Sequence, residues 1–263
     1  TTYRVTGGYL HKETGTKIRG SYGTGFRVPN INELVFPGFG NPNAQPEKSQ
    51  SLDVGIEQML FDGRVNFHAT YFWNRYRNLL TTVISNLAIC GPDPFFPSFG
   101  GSCVRNLGVA RAQGGEFGVD LQLVEDWVYL KSLSFHGQYT LTYTRELEGL
   151  NPGSRLARWP VNQASGILSI QPVEPIKVNV EVRFVGKRFS REGNNSPLKS
   201  FVVFNLAGSY AVNKNIEFYT RVENLFNEKY EEVLFFGTPV RSIYGGVRVN
   251  FDVPFFSGAS SNE

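Results

Sequence analysis

Apolar and polar side chains alternate with a period of two in eleven stretches of about ten residues each. Residues 133–144 read LSFHGQYTLTYT, and residues 177–184 read KVNVEVRF. Successive side chains of a β-strand point to opposite faces, so each stretch predicts a strand with one apolar and one polar face. Strands of a soluble sandwich average only about five or six residues. The length and the sidedness therefore favour a transmembrane antiparallel β-barrel, whose strands meet lipid on one face and a polar interior on the other.

The composition agrees with a barrel and excludes other classes. The chain is 41% hydrophobic and 14% aromatic, yet it has no run of the roughly 18 apolar residues that a membrane helix needs. A barrel strand contacts lipid with only every second residue, so its average hydropathy carries no membrane signal. The net charge is only +3, with both signs spread along the chain. We therefore predict no nucleic-acid partner.

Short and long connections alternate between the predicted strands. The strands are predicted at 2–12, 16–26, 50–60, 64–77, 108–124, 128–144, 160–171, 176–188, 201–212, 216–226 and 241–253. The short turns are predicted at 13–15, 61–63, 125–127, 171–175 and 213–215, and the long loops near 27–49, 78–107, 145–159, 189–200 and 227–240. Outer-membrane barrels have short periplasmic turns and longer extracellular loops. This alternation predicts a bacterial outer-membrane location with a periplasmic C-terminus.

The number of strands predicts a partial barrel. Eleven is odd, whereas bacterial single-chain barrels have an even number of strands. It is half of the roughly 22 strands found in the large plugged barrels of the outer membrane. We expect residues 1–253 to form the C-terminal half of such a barrel and residues 254–263 to form a periplasmic tail.

Three sequence blocks carry a family resemblance. Residues 21–29 read SYGTGFRVP and are followed by NPNAQPEK at 41–48, while residues 222–231 read VENLFNEKYE. The last strand carries Tyr244, Gly246, Val249 and Phe251. Together these blocks resemble the signatures of TonB-dependent receptors. Residues 36–43, which read FPGFGNPN, are most similar to the cobalamin-receptor branch of that family.

The resemblance implies a function and a set of partners. A receptor of this kind binds a scarce large ligand outside the cell and imports it with energy delivered by TonB. It would need a companion polypeptide or segment that carries the plug and the first eleven strands, and it would sit in outer-membrane lipid. We expect no resident cofactor. A ferric-siderophore receptor of the same family and a passive porin are the alternatives.

An enzyme is the rival from a different class, because some outer-membrane barrels are hydrolases. Their histidine must lie beside a nucleophile or an activated water at the barrel rim. His136 is predicted on the inner wall between the lipid-facing Phe135 and Gly137, which is the wrong place for such a site. We therefore predict no catalytic residues.

The predicted inner wall carries charges of both signs. An ion pore would favour one sign, whereas a wall that docks a folded plug through ion pairs carries both, as a merely hydrated wall also can. The residues predicted to face the plug are Arg19, Asp53, Glu57, Glu116, Asp120, Glu181, Arg183, Arg221, Glu223 and Arg248.

Ligand contacts are predicted in the long loops. Haem needs an axial nitrogen ligand, and residues 30–40 contain no histidine, so haem is disfavoured. A corrin matches aromatic side chains and backbone groups, although the same phenylalanines also suit packing of one loop on another. The candidate residues are Phe36, Phe39, Asn41, Phe95, Phe96, Phe99, Phe235, Phe236 and Arg241.

Cys90 and Cys103 lie within one predicted extracellular loop, where thiols are oxidised. This predicts a disulfide between them, which would restrict the open states of the loop by about 3 kcal/mol in the chain-entropy account. Two cysteines without a histidine in the loop are too few ligands for a zinc ion. We therefore predict no metal site.

Overall fold

The computed structural model of the protein describes residues 1–83, 86–92, 98, 100–106, 108–191 and 193–251. The elements in chain order are β1 (Arg4–His11), β2 (Thr16–Arg27), α1 (Ile31–Val35), β3 (Glu47–Leu60), β4 (Val65–Arg77), β5 (Leu80–Val83), α2 (Leu87–Cys90), β6 (Cys103–Asn106), β7 (Val109–Trp127), β8 (Leu130–Glu148), β9 (Asn162–Gln171), β10 (Ile176–Val185), β11 (Arg188–Arg191), β12 (Asn195–Leu198), β13 (Phe201–Ala211), β14 (Ile216–Glu223), β15 (Glu231–Val233), β16 (Phe236–Gly237) and β17 (Ser242–Val249).

One sheet of eleven strands dominates the structure. Its order is β1-β2-β3-β4-β7-β8-β9-β10-β13-β14-β17, and every neighbouring pair is antiparallel. The remaining strands form three separate hairpins, β5-β6, β11-β12 and β15-β16. The sheet is therefore a meander of the eleven strands that the alternation predicted, and the predicted all-β barrel architecture is confirmed.

The register gives the sheet one apolar and one polar face. Cross-strand partners share a face. The register between successive strands therefore places the pair Ile18–Ile56 of β2 and β3 on the same face as the pair Val180–Leu168 of β10 and β9. Large apolar side chains on that side remain exposed, among them Val54 at 48% and Phe218 at 50%. An exposed apolar surface of this extent indicates contact with lipid. We call it the apolar face and the opposite side the polar face.

The two ends of the sheet differ in their connections. Residues 12–15, 61–64, 128–129, 172–175 and 212–215 make the short turns, and residues 28–46, 78–108, 149–161, 186–200 and 224–241 make the long connections. The predicted alternation of short and long connections is thus confirmed. We call the two ends the short-turn end and the long-loop end.

The long-loop end also holds the small hydrophobic core of the described residues. Ala110 and Leu156 form one buried cluster, and Val185, Phe201 and Val203 form another. Both clusters lie where loops fold against the ends of strands. No helix among the described residues is long and apolar enough to cross a membrane.

Some predicted features fall outside the described residues. These are the tail at 254–263 and the ligand candidates Phe95, Phe96 and Phe99.

Candidate functional site

The charged residues predicted to face a plug all lie on the polar face. Lys17 pairs with Glu57 and Ser21 with Asp53, and the register carries this face across the sheet to Glu217 and Arg248. The members of this charged wall are Arg19, Asp53, Glu57, Glu116, Asp120, Glu181, Arg183, Arg221, Glu223 and Arg248.

Four of these ten residues, Arg19, Glu57, Asp120 and Arg248, form ion pairs across neighbouring strands. Glu57 accepts from Lys17 at 3.0 Å and lies 3.3 Å from Arg19. Asp120 contacts His136 Nδ1 at 2.5 Å. The side chains of these pairs remain partly exposed, and that of Arg19 is 50% exposed. Exposed ion pairs contribute at most about 1 kcal/mol each to the stability of the fold. The wall can therefore exchange these partners for others at small cost.

Arg183 differs from the other wall residues because it is engaged by a loop. Its guanidinium donates to Glu232 Oε1 at 2.9 Å and lies 5.2 Å from the centre of the Phe201 ring. Tyr230 stacks on Phe201 with ring centres 4.1 Å apart. Arg183 thus fastens the connection 224–241 to the wall.

A second arginine holds the same connection from the loop side. Arg188 is buried at 5% exposure, and its Nη2 donates to the carbonyl of Glu231 at 2.7 Å. Burial lowers the pKa of the Arg188 guanidinium, while nearby Glu232 opposes the shift. The two arginines and the stacked rings form one cluster that fixes the hairpin β15-β16.

Arg27 anchors the first long connection at both of its ends. Its Nε donates to Glu47 Oε2 at 2.6 Å, and its Nη1 donates to Glu33 Oε2 at 3.1 Å. Glu33 also completes a capping box with Asn30 at the start of α1. Glu47 Oε1 accepts the N–H of Leu80 at 2.6 Å. One guanidinium thus joins the end of β2, α1 and the start of β3.

The first and second long connections are tied to each other. The side-chain oxygen of Asn106 accepts the N–H of Gln45 at 2.8 Å, and its amide donates to the carbonyls of Gln45 and Asn78. The N–H of Val104 donates to the carbonyl of Phe39 at 3.0 Å. Cys90 and Cys103 form a disulfide with Cα atoms 5.5 Å apart. The two connections therefore make one continuous surface.

The predicted ligand residues in the described part of the chain lie in two separate connections. Phe36 and Phe39 contact each other edge to face with ring centres 6.2 Å apart, and Asn41 follows in the same connection. Phe235 and Phe236 are 81% and 71% exposed on the hairpin β15-β16. The N–H of Arg241 donates to Asn227 Oδ1 at 3.0 Å. No ring contact joins the two pairs of phenylalanines within the described ranges.

A cavity of about 750 Å³ opens between three of the long connections. Hydroxyl and amide side chains dominate its polar surface, and the two charged side chains in its described lining are both arginines. The polar residues that line it are Thr81, Thr82, Asn86, Asn151, Arg158, Ser190, Arg191, Asn195 and Ser196. Within the described residues, no three His, Cys, Asp or Glu side chains are grouped as metal ligands.

The anchoring residues were missed by pattern reasoning. Arg27 and Glu47 lie inside the two parts of the first motif block, Glu33 lies between those parts, and Asn224 lies inside the second block. A partial signal was available, because polar residues in a loop need hydrogen-bond partners when they are partly buried. The sequence did not show which residues those partners are.

The anchor of the first connection should respond to acid. Burial raises the pKa of Glu33, but hydrogen bonds from Arg27 and from the Asn30 backbone outweigh it, so the pKa is lowered overall. A lowered pKa stabilises the fold above the ordinary glutamate value of about 4.3, and this contribution is lost as the pH falls further. We expect a nitroxide at Val35→Cys to become more mobile as the pH falls below about 4.3.

Two controls make this experiment decisive. With Glu33→Gln, the label at position 35 should already be mobile at pH 7 and should lose most of the acid transition. A label at Val240→Cys lies beside Pro239, whose carbonyl accepts from the neutral amide of Asn224. Because the same connection also contains the Arg183–Glu232 ion pair, the mobility of this label should change with acid, but less than that of the label at position 35. A label at position 35 whose mobility stays constant down to pH 2 would contradict the role given to Glu33.

A family model and curated relatives match the chain. The model described as "TonB dependent receptor-like, beta-barrel" matches residues 1–225. The vitamin B12 transporter BtuB of Photobacterium profundum is 24% identical over 237 residues, which are 89% of this chain and 35% of that protein. The metal-pseudopaline receptor CntO of Pseudomonas aeruginosa (strain UCBPP-PA14) is 24% identical over 192 residues, covering 71% of this chain and 25% of that protein.

Solved structures show the same fold. The copper transporter OprC matches with a TM-score of 0.76 at 20% identity, covering 94% of this chain and 38% of that one. The ferric-catecholate import receptor Fiu from E. coli K12 matches with a TM-score of 0.71 at 19% identity. The match covers 95% of this chain and 35% of the Fiu chain. The chain spans about a third of the length of the curated B12 transporters it matches. The family match over residues 1–225 confirms the resemblance seen in the motifs, and the chain belongs to the TonB-dependent receptor-like β-barrel family.

Proposed function

We propose that this chain supplies the C-terminal half of the wall and the extracellular loops of an active-transport receptor in the bacterial outer membrane. The receptor takes up a scarce, large, cobalamin-like ligand with energy delivered by TonB. A companion polypeptide or segment supplies the plug and the other strands.

The two free edges of the sheet carry this proposal. Among the described residues, β1 pairs only with β2 and β17 pairs only with β14. An unpaired backbone N–H or C=O costs several kcal/mol in the hydrocarbon of a bilayer, so an open sheet edge is not stable there. Strands from a companion would satisfy both edges and close the barrel.

The composition and exposure of the charged wall favour a plug that docks against it. It carries both signs, and its pairs leave the charged groups accessible, as Arg221 at 54% and Arg248 at 60% exposure illustrate. A plug surface can exchange ion pairs with such a wall without leaving a buried charge unpaired. A pore selective for one sign of ion would favour a wall of one sign.

The features of the long-loop end favour a large ligand. The cavity of about 750 Å³ has the size of a small-molecule site. Its hydroxyl and amide groups match the amide side chains of a corrin. The exposed Phe235 and Phe236 offer apolar surface on another connection of the long-loop end. A B12 transporter is among the relatives of the chain.

The decisive experiment combines composition and uptake. The particle that contains this chain is purified from outer membranes in detergent, and the denatured mass of every polypeptide is measured. We expect either a second polypeptide with the plug or one much longer chain. In intact cells, uptake of labelled cyanocobalamin should stop when TonB is deleted. A stable particle containing only these 263 residues, or uptake that is independent of TonB, would favour a passive porin.

A ferric siderophore is the second candidate, and one observation favours it. The only charged side chains that line the described part of the large cavity are Arg158 and Arg191, which suit an anionic ferric complex. The double variant Arg158→Ala/Arg191→Ala should weaken binding of an anionic ferric siderophore at least about tenfold. It should change the binding of neutral cyanocobalamin less than about threefold.

A further inference from the structure

Three arginines lie side by side on neighbouring strands at the long-loop end. Arg75 of β4 pairs with Arg111 of β7, and Arg111 pairs with Arg145 of β8. Side chains in directly opposed positions have Cβ atoms only about 4.5–5.5 Å apart, and like charges there repel each other. We call these three residues the basic row.

No acidic side chain offsets the basic row within the described ranges. None of its members belongs to an ion pair there, and the buried Nε of Arg75 lacks an acceptor. Glu146 pairs with Ala110, so it lies on the other face, where it is fully buried. On the face of the basic row, the acid nearest in register is Glu148, opposite Val109 and two positions closer to the rim, and it forms no ion pair with any described residue. The next row adds charge of the same sign, because Lys48 pairs with Arg77. This surface therefore attracts negative groups from outside the chain.

The basic row lies on the apolar face, just above a layer of aromatic side chains. Trp73 and Tyr143 both pair with Gln113 and precede Arg75 and Arg145 by two residues. Two residues of a strand span about 7 Å. Aromatic girdles mark the interfaces between hydrocarbon and headgroups in barrels. The row therefore lies at the level of the lipid headgroups.

A groove of about 410 Å³ runs beside Arg75 on the same side of the sheet. Its lining combines the basic side chains of Lys48, Arg75 and Arg77 with the rings of Tyr3 and Phe26. Such a lining fits a ligand that has an anionic head and an apolar body. An inorganic anion would use only the basic part.

We propose that the basic row and this groove bind the phosphate-bearing headgroup of a lipid of the outer leaflet. Guanidinium groups form paired hydrogen bonds with phosphate oxygens, and adjacent arginines can share one phosphate or hold two. The proposal rests on the proposed function in one respect, because it places the long loops outside the cell. It assigns this surface a ligand other than the transported molecule.

Native mass spectrometry of the complete receptor tests the proposal. The particle is purified in neutral detergent and titrated with diphosphoryl lipid A. The triple variant Arg75→Gln/Arg111→Gln/Arg145→Gln should bind about a hundredfold more weakly, since each basic residue near an anionic lipid surface contributes roughly fivefold. The single variant Arg111→Gln should bind roughly fivefold more weakly, and its single change leaves the fold of the sheet least disturbed.

A matched control removes the same charge from the other end. Lys12→Gln/Arg64→Gln/Lys214→Gln neutralises three basic residues in short turns and should bind lipid A as the unaltered receptor does. Fully dephosphorylated lipid A should bind no better to the unaltered receptor than to the triple variant. Inorganic phosphate at millimolar concentration should not displace lipid A.

Three results would overturn the proposal. They are binding by the triple variant within about twofold of the unaltered receptor, equal binding of dephosphorylated lipid A, and inorganic phosphate that binds as tightly as lipid A. The last would indicate a free-anion site. Uptake of cyanocobalamin is measured on the same variants, so a receptor that binds lipid A but transports no cobalamin refutes the proposed function alone.

Discussion

Replacing Val180 by arginine should lower the free energy of unfolding in a lipid bilayer by about 2–4 kcal/mol. Val180 lies at the middle of β10, between Leu168 of β9 and Leu206 of β13 on the apolar face. A charged side chain at this depth must give up its hydration or deform the bilayer. The unfolding of the complete receptor in phospholipid vesicles, followed by tryptophan fluorescence in guanidinium chloride, measures the loss.

The adjacent residue is the matched control. Asn179 is exposed on the polar face, where it pairs with Ser169 and Ala207. These small neighbours leave room for a longer side chain. Asn179→Arg should therefore change the free energy of unfolding by less than about 0.5 kcal/mol, as substitutions at hydrated surface positions do.

The comparison tests which face meets lipid. Equal losses for Val180→Arg and Asn179→Arg would contradict the assignment of the two faces, and a larger loss for Asn179→Arg would reverse it. In detergent of low hydrophobic thickness, the difference should shrink, because the arginine then reaches water more easily.

The alternation predicted the sheet because a lipid environment imposes it on every second residue. The strand ends were harder to predict, and β3 begins at Glu47 instead of residue 50. Glu47 extends the strand because its carboxylate is held by Arg27 and by the N–H of Leu80. β7 and β8 likewise continue to 19 residues each. Backbone pairing persists after the side chains leave the bilayer and the alternation stops.

The long connections were predicted as loops with no elements assigned to them, and in the structure they contain α1 and three hairpins. The residues of these elements contact other loops on one side and solvent on the other, so no lipid imposes a period on them. Their hydrogen bonds join residues far apart in the chain, as between Gln45 and Asn106, which are 61 positions apart. A single sequence does not reveal such partners.

The alternation of side chains along each strand correctly placed the charged wall on one face of the sheet. It did not predict the individual contacts of these residues. Arg183 was predicted to face a plug, and in the structure its side chain reaches Glu232 and the rings of Phe201 and Tyr230, contacts that the alternation did not predict. The position of a residue in this alternation fixes only the side of the sheet from which its side chain emerges. A long arginine at the end of a strand can then turn toward the loops above it.

Replacing Asn224 by alanine should release the connection 224–241. Asn224 is 4% exposed, and its amide donates to the carbonyls of Glu228 and Pro239 while its oxygen accepts the N–H of Glu228. Its backbone φ is +52°, a region that asparagine tolerates better than alanine. The lost bonds and the backbone cost together amount to about 3 kcal/mol or more. Amide hydrogens of residues 225–241 should exchange at least about a hundredfold faster.

The contrast with an exposed asparagine decides the role of Asn224. Asn250 lies directly after β17, exposed, and its side chain forms no hydrogen bond within the described ranges, so Asn250→Ala should leave exchange at 225–241 unchanged. Asn224→Asp keeps the acceptor but loses both donors, and it should fall between the two. Because Arg183 and Arg188 hold the same connection through Glu232 and Glu231, exchange near those residues should rise less than near Glu228. Unchanged exchange in Asn224→Ala would mean that the two arginines alone suffice to hold the connection.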